Sequence, residues 1–356
     1  MTAIGALLAA SAVSVAGLLG FVGLIVPHTA RLLVGSDYRY LIPSSALLGI
    51  AVVTYSDTFA RVAFAPLELP VGIFMAILGA PFFLFYLERS FNMVNLKVSD
   101  LMIKIHDKLI LDGINIDFKA EKKTAIIGPN GCGKSTLLKA ISGLNRQYKG
   151  EILIDGENIL HLSRKNLAKK MAILPQGATT PTDLTVKELV SYGRFPYRSM
   201  FKSLNNKKEQ AIIEEAMEKT HITSFSHRLV STLSGGERQR TWIAMALAQQ
   251  PKILLLDEPT TYLDIAHQIE VMQIVDELNK REKMTVIMVL HDINHARMYA
   301  DDIVILKDKH VFEQGEPNTV LDVENLAKVF GVNAKMYQNC QNPEDKIIFP
   351  VSLVKN

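Results

Sequence analysis

The chain has 356 residues, 48% of them hydrophobic and 21% charged, with a formal net charge of +3. That length exceeds one small module, and the composition excludes a disordered, collagenous or disulfide-framework protein. So small a net charge gives no reason to expect a nucleic-acid partner, and two cysteines, Cys132 and Cys340, make a reducing compartment the default for the soluble part.

Charge is unevenly distributed along the chain. Residues 1–92 hold four Arg, four acids and no Lys, so 35 of the 39 basic and 32 of the 36 acidic residues lie beyond them. The positive mean hydropathy of +0.16 therefore belongs to the first quarter. Residues 1–30 carry no Asp, Glu, Lys or Arg, and the apolar run Ile4–Val26 is long enough to cross a bilayer. A short loop with Arg31, Asp37 and Arg39 follows. A second span is predicted from about Leu47 to Ala65 and a third over 69–87. A cleaved signal peptide would not explain three apolar runs, and no basic leader precedes the first. Asp57 and Arg61 are four apart and share a face of the second span, where charges are expected to pair.

The segments GFVGLIVPHTARLLVGSDYRYLIPSSALLG (20–49) and LPVGIFMAILGAPFFLFYL (69–87) resemble the C-terminal third of permeases in the iron-siderophore and vitamin B12 importer family. PHTAR and GSDYR match a cytoplasmic loop that faces an ATPase in that family. Such permeases have far more spans than three. The resemblance therefore implies either missing permease spans or a separate permease subunit.

From residue 93 the chain is rich in charge and reads as a soluble domain. Residues 124–127 (TAII) form a short apolar strand running into Gly128-Pro129-Asn130-Gly131-Cys132-Gly133-Lys134-Ser135-Thr136, and then the helix signal LLKAISGL. This is a phosphate loop in its strand–loop–helix setting. The glycines let backbone amides turn toward phosphate oxygens, and the helix N-terminus adds favourable potential. Lys134 would neutralise the β- and γ-phosphates and Ser135 would hold Mg²⁺. Cys132 is read as a small residue filling the loop. LTVKELVSYG (184–193) and QAIIEEAMEK (210–219) suggest helices of a subdomain over 177–232. LSGGERQR (233–240) precedes an amphipathic run that stops at Pro251. KILLLDEP (252–259) and VIMVLHD (286–292) read as buried parallel strands, one ending in Asp257 and Glu258, the other in His291.

The order phosphate loop, Gln176, LSGGE, LLLDE and strand-terminal His291 resembles that of ABC-type ATPases over about 94–330. The resemblance implies an α/β P-loop ABC ATPase, a RecA-like core with a helical subdomain, preceded by about three transmembrane helices. It implies that Asp257 organises Mg²⁺, with Ser135 and Gln176 as further ligands. It makes Glu258 the residue that polarises the attacking water and gives His291 the γ-phosphate. Gln176 would also pass the nucleotide state to the membrane part. Ser234, Gly235 and Gly236 would bind the ATP held by an opposite subunit, so that two ATPase domains close on two ATPs with Asp264 in the dimer-facing loop. The family's adenine-stacking aromatic falls in register with Ile105, with His106 beside it, so base contacts depart from the pattern. TTYLDIAHQ (260–268), YGRFPYR (192–198) and VLHDINHARMYAD (289–301) resemble the ATP-binding subunits of ferric-siderophore importers.

The expected organisation is a permease fragment over 1–92, an ATPase domain over 93–330 and an extension over 331–356, whose run IIFPVSLV is expected to add a terminal strand. Expected partners are a second copy, a permease, a substrate-binding protein and the membrane, with no nucleic acid. The ATPase is expected on the cytoplasmic side, which puts Arg31 and Arg39 inside, as the positive-inside rule favours. Two alternatives stay open: a membrane-tethered ATPase or gene fusion that works only with a separate full-length permease, and a half-exporter, for which three spans are too few. A DNA-maintenance ATPase is disfavoured, since no long heptad insertion separates the phosphate loop from LSGGE.

Overall fold

The computed structural model describes residues 26, 30, 38–63, 94–177, 182–198, 207–338 and 346–354. The chain divides into two units, Met1–Asn92 and Met93–Asn356. In the first, helix α1 (Tyr38–Ala63) contains an apolar stretch, Leu41–Phe59, long enough to cross a membrane. It starts nine residues before the predicted second span. Pro43 lies inside it, close enough to the start to cost a backbone hydrogen bond without ending the helix. Ser45, Thr54 and Thr58 turn their hydroxyls back onto the carbonyls of Leu41, Ile50 and Thr54, which hides polar groups on an apolar surface. The predicted first and third spans and the side chain of Arg61 lie outside the described residues.

The second unit begins with β1 (Leu96–Ile105), β2 (Lys108–Phe118) and β3 (Lys123–Ile127). Next come α2 (Lys134–Ile141), β4 (Lys149–Ile154), β5 (Glu157–Asn158), α3 (Arg164–Lys170) and β6 (Met171–Leu174). Helix α4 (Val186–Ser191) runs into a 3₁₀ turn, Tyr192–Tyr197, and α5 (Lys207–Lys219) and α6 (Gly235–Ala248) follow. Strand β7 (Ile253–Asp257), α7 (Ile265–Glu282), β8 (Thr285–Val289), α8 (Ile293–Tyr299), β9 (Asp302–Lys307) and β10 (His310–Gly315) complete the core. Helix α9 (Val323–Phe330) leads to the hairpin β11 (Val332–Gln338) and β12 (Lys346–Leu353).

Strands β2-β1-β4-β5 form one antiparallel sheet; β10-β9-β3-β8-β7-β6 form the main sheet, parallel except where β10 joins β9. Every residue of β3, β7 and β8 is buried, because both faces of the sheet are covered. Alternate side chains serve two separate cores. Ala125, Ile127, Leu254, Leu256, Val286 and Met288 pack with the helices α4 to α7. Ile126, Ile253, Leu255, Ile287 and Val289 pack with α2 and the antiparallel sheet. This two-sided burial is why these strands read as continuous apolar runs rather than alternating ones.

The terminal run forms a strand, β12, which pairs with β11 in a sheet of its own instead of extending the main one. Pro350 within it cannot donate to a ladder. Two residues earlier, the Asn294 side chain bonds the strand laterally: its Nδ2 donates to Ile348 O at 3.0 Å and its Oδ1 accepts from Ile348 N at 2.9 Å.

The helical subdomain is tied to the core by a buried arginine from the 3₁₀ turn. Arg194, 3% exposed, donates from Nη1 to Ala248 O at 2.8 Å and to Gln250 Oε1 at 3.1 Å, and from Nε to Glu209 Oε2 at 2.5 Å. Its guanidinium also lies 4.0 Å from the centre of the Tyr197 ring. Arg194→Ala removes the bonds to Glu209, Ala248 O and Gln250 at once and should cost about 2–4 kcal/mol of stability. Denaturant unfolding followed by the fluorescence of Trp242, the single tryptophan, checks this; an unchanged midpoint would contradict it.

Candidate active site

Main-sheet order brings the predicted residues together. Adjacent strands β3, β8, β7 and β6 are paired so that Ile126 faces Val289, Asp257 faces Val289, and Leu256 faces Leu174. Their C-terminal ends therefore stop at one level, and Gly128, His291, Asp257-Glu258 and Gln176 leave neighbouring strands about 4.8 Å apart.

The phosphate loop owes two of its glycines to crowding. Gly128 has φ +151°, and a Cβ there would sit 2.2 Å from Leu306 O on β9. Gly133 has φ +105°, and a Cβ there would sit 2.6 Å from Leu111 Cδ2. Pro129, Asn130 and Gly131 form the outer arc, and Thr136 is half-buried in the first turn of α2. The buried Lys134 ammonium reaches back over the loop, donating to Gly128 O at 2.8 Å and Pro129 O at 2.9 Å. Burial pushes the Cys132 thiol above its ordinary value, with the charge of Lys134 opposing.

Ser135 Oγ donates to Asp257 Oδ1 at 2.9 Å. Asp257 is 3% exposed. Burial raises its carboxyl above the usual range, the Ser135 bond lowers it, and the Glu258 charge raises it again. A buried carboxylate with a hydroxyl at its oxygen offers hard donors of the kind Mg²⁺ takes alongside substrate phosphates. The residues present thus fit that ion.

Glu258 follows β7 with φ +53°, an unfavourable conformation for a residue with a Cβ. Its carboxylate is surrounded by donors: Gln176 Nε2 at 2.5 Å and Thr261 Oγ1 at 3.1 Å on Oε2, and His291 Nε2 at 2.5 Å on Oε1. Thr261 is the member of this group absent from the sequence reading. Only the turn after β7 brings its hydroxyl back beside the acid.

Ser234, Gly235 and Gly236 begin α6. Ser234 caps the helix, accepting from Glu237 N at 3.3 Å while Glu237 Oε2 accepts from Ser234 N at 2.8 Å. This reciprocal bonding holds the Glu237 carboxyl below its ordinary range. The signal was legible as S-x-x-E ahead of a helix. Asp264 is exposed and caps α7, accepting from His267 N at 2.9 Å. Hydrogen bonds thus gather the predicted residues into one group around Asp257 and Glu258 and a second at the starts of α6 and α7. Ile105 ends β1 at 41% exposure, and His106 occupies the β1–β2 turn at φ +47° and is exposed.

A six-stranded P-loop core with these strand-terminal residues defines an ABC-type ATPase. The chain belongs to the ABC transporter family. That family's model matches residues 111–261, and the FecCD transport family model matches residues 1–89. The chain is 44% identical over 264 residues to the iron(3+)-hydroxamate import ATP-binding protein FhuC of Bacillus subtilis, covering 74% of this chain and 97% of that one. It is 44% identical over 241 residues to the petrobactin import ATP-binding protein FpuD of Bacillus anthracis, covering 68% and 88%. A solved dimeric bacterial ABC transporter cassette superposes with a TM-score of 0.56 at 31% identity, covering 62% of this chain and 98% of the cassette. The protein is accordingly an ATP-binding, ATP-hydrolysing chain of this family with a permease-type segment ahead of its ATPase.

A buried, protonated Cys132 should alkylate more slowly than the same residue in the unfolded chain at pH 7.5. The gap should narrow as pH rises past the ordinary value of 9.0 and thiolate forms. Mass-spectrometric rates on the Cys132 peptide provide the measurement, and equal native and unfolded rates at pH 7.5 would contradict it.

Proposed function

We propose that the chain powers import of a ferric-siderophore complex across a cell membrane, with its ATPase on the cytoplasmic side. What carries this reading is one conjunction: the two parts of a single chain match two different subunits of one importer class. Relatives named for hydroxamate and petrobactin import support the substrate class.

Phosphate-loop amides and Lys134 hold the β- and γ-phosphates, Lys134 exchanging its two carbonyl partners for phosphate oxygens. Ser135, Asp257 and Gln176 hold Mg²⁺, which when bound neutralises charge on the phosphate oxygens. Glu258 polarises a water toward the γ-phosphorus. The new P–O bond forms as the bond to the β–γ bridging oxygen breaks, and the water's proton leaves toward Glu258. His291 steadies the γ-phosphate. In the present arrangement Gln176 and His291 both sit on the Glu258 carboxylate, so the base becomes free only when ATP draws them away. Ser234, Gly235 and Gly236 of a second copy close over the same ATP, with Asp264 at the contact, so that two copies enclose two nucleotides. A permease and a substrate-binding protein complete the assembly.

A second reading is that residues 1–92 only tether the ATPase to a separate full-length permease. The family match of this part to 89 residues favours keeping it.

Glu258→Gln should retain ATP binding and hydrolyse ATP at least ~100-fold more slowly. Equilibrium binding and phosphate release measure the two, and unchanged turnover would remove Glu258 as the base. Vesicles containing the full chain, with and without a permease of the FecCD type, decide the transport question. ATP-dependent accumulation of a radioiron-loaded hydroxamate is expected. A requirement for the added permease selects the tethered form, and accumulation of cobalamin in place of the iron complex would overturn the substrate class.

A further inference from the structure

His267 stands where hydrolysis itself requires no imidazole. A Cβ built on Gly236 would fall 2.4 Å from His267 Cγ and 2.7 Å from Cδ2 and Nδ1. The ring therefore lies flat against the second glycine of the Ser234–Gly236 loop. Gly235 beside it is in ordinary contact only, its Cβ falling 3.4 Å from Leu263 Cδ2. Gly236 thus leaves room for the neighbouring ring.

The ring is anchored on its other side. His267 Nδ1 lies 3.3 Å from Glu270 Oε2, and the other oxygen of Glu270 accepts from the buried Arg240 of α6. A carboxylate partner makes Nδ1 the protonated nitrogen. A closed circuit results: Gly236 touches the His267 ring, the ring bonds Glu270, and Glu270 bonds Arg240, one helical turn beyond Gly236. The backbone of His267 meanwhile donates to Asp264.

We propose that His267 is a positioning residue that sets the spacing between the Ser234–Gly236 loop and Asp264, so that both meet an opposite ATP as one rigid surface. This rests on the two-copy arrangement given above. The imidazole suits the task because it is flat enough to lie on a glycine and polar enough to be held there by Glu270. An aliphatic chain would lack the anchor. The residue acts through Ser234–Gly236 and touches no reacting atom. Loss of its ring lowers turnover while the chain's own phosphate loop keeps its hold on ATP.

The test uses the full chain in membranes, with steady-state ATP hydrolysis as the readout. His267→Ala should lower kcat about 10- to 100-fold, since a displacement of about 1 Å suffices for that, with KM for ATP within about twofold. Gly236→Ala should be impaired by its clash with the ring. The double variant Gly236→Ala/His267→Ala should recover activity above Gly236→Ala alone, a non-additivity that a remote structural defect does not produce. His267→Phe keeps a ring and loses only the Glu270 bond. Intermediate kcat at unchanged KM is expected for it, and this variant decides the matter should His267→Ala fail to fold. Wild-type kcat in His267→Phe, or in His267→Ala, would overturn the proposal. Ser234→Arg serves as the control for the two-copy reading. Lost turnover in it beside normal His267→Ala overturns only the role of His267; normal turnover in both overturns the two-copy arrangement as well.

Discussion

The parallel register of β3, β8, β7 and β6 is the constraint on which the rest of this ATPase depends. Ile126, Val289, Leu256 and Leu174 bring four strand ends to one level. Residues more than 160 positions apart in sequence then become neighbours at hydrogen-bonding distance. A slip of one residue in any pair would reverse every side chain of that strand between the two cores. Burial of both faces thus enforces the geometry of the site. No single hydrogen bond in the site could hold that geometry alone.

Within that frame, the Glu258 carboxylate is tied to three neighbouring side chains. Gln176, Thr261 and His291 occupy both carboxylate oxygens, and Ser135 occupies Asp257. The left-handed backbone at Glu258 adds a local cost that the buried β7–β8 ladder absorbs. Gln176 also starts the segment leading to the helical subdomain, so its bond to Glu258 links the entry to that subdomain with the end of β7.

Glycine serves two purposes in this chain. At Gly128 and Gly133, positive φ and crowding by Leu306 and Leu111 disfavour any side chain. At Gly236 no unusual φ is involved; close packing against the His267 ring is what disfavours a side chain. The same residue type in the two loops therefore answers to different constraints.

Much was determined by sequence alone. Chemistry-bearing residues cluster at the ends of apolar runs, so the phosphate loop, Asp257-Glu258 and His291 were legible from the short strands TAII, KILLLD and VIMVL. Continuous apolar runs also predicted strands buried on both faces, since alternation would have marked a solvated one. The uncharged stretch after Arg39 announced a long helix, although that helix begins nine residues before the predicted start. What tertiary structure decided were contacts that no local pattern encodes. Thr261 reaches Glu258 only because of the turn after β7. His267 covers Gly236 because two helix starts abut. The apolar IIFPVSLV segment pairs with β11 away from the main sheet, and Asn294 supplies its lateral bonds. The physical reason is the same in each case: periodicity records which side of an element is buried, while the partner on that side is chosen by the packing of elements distant in sequence.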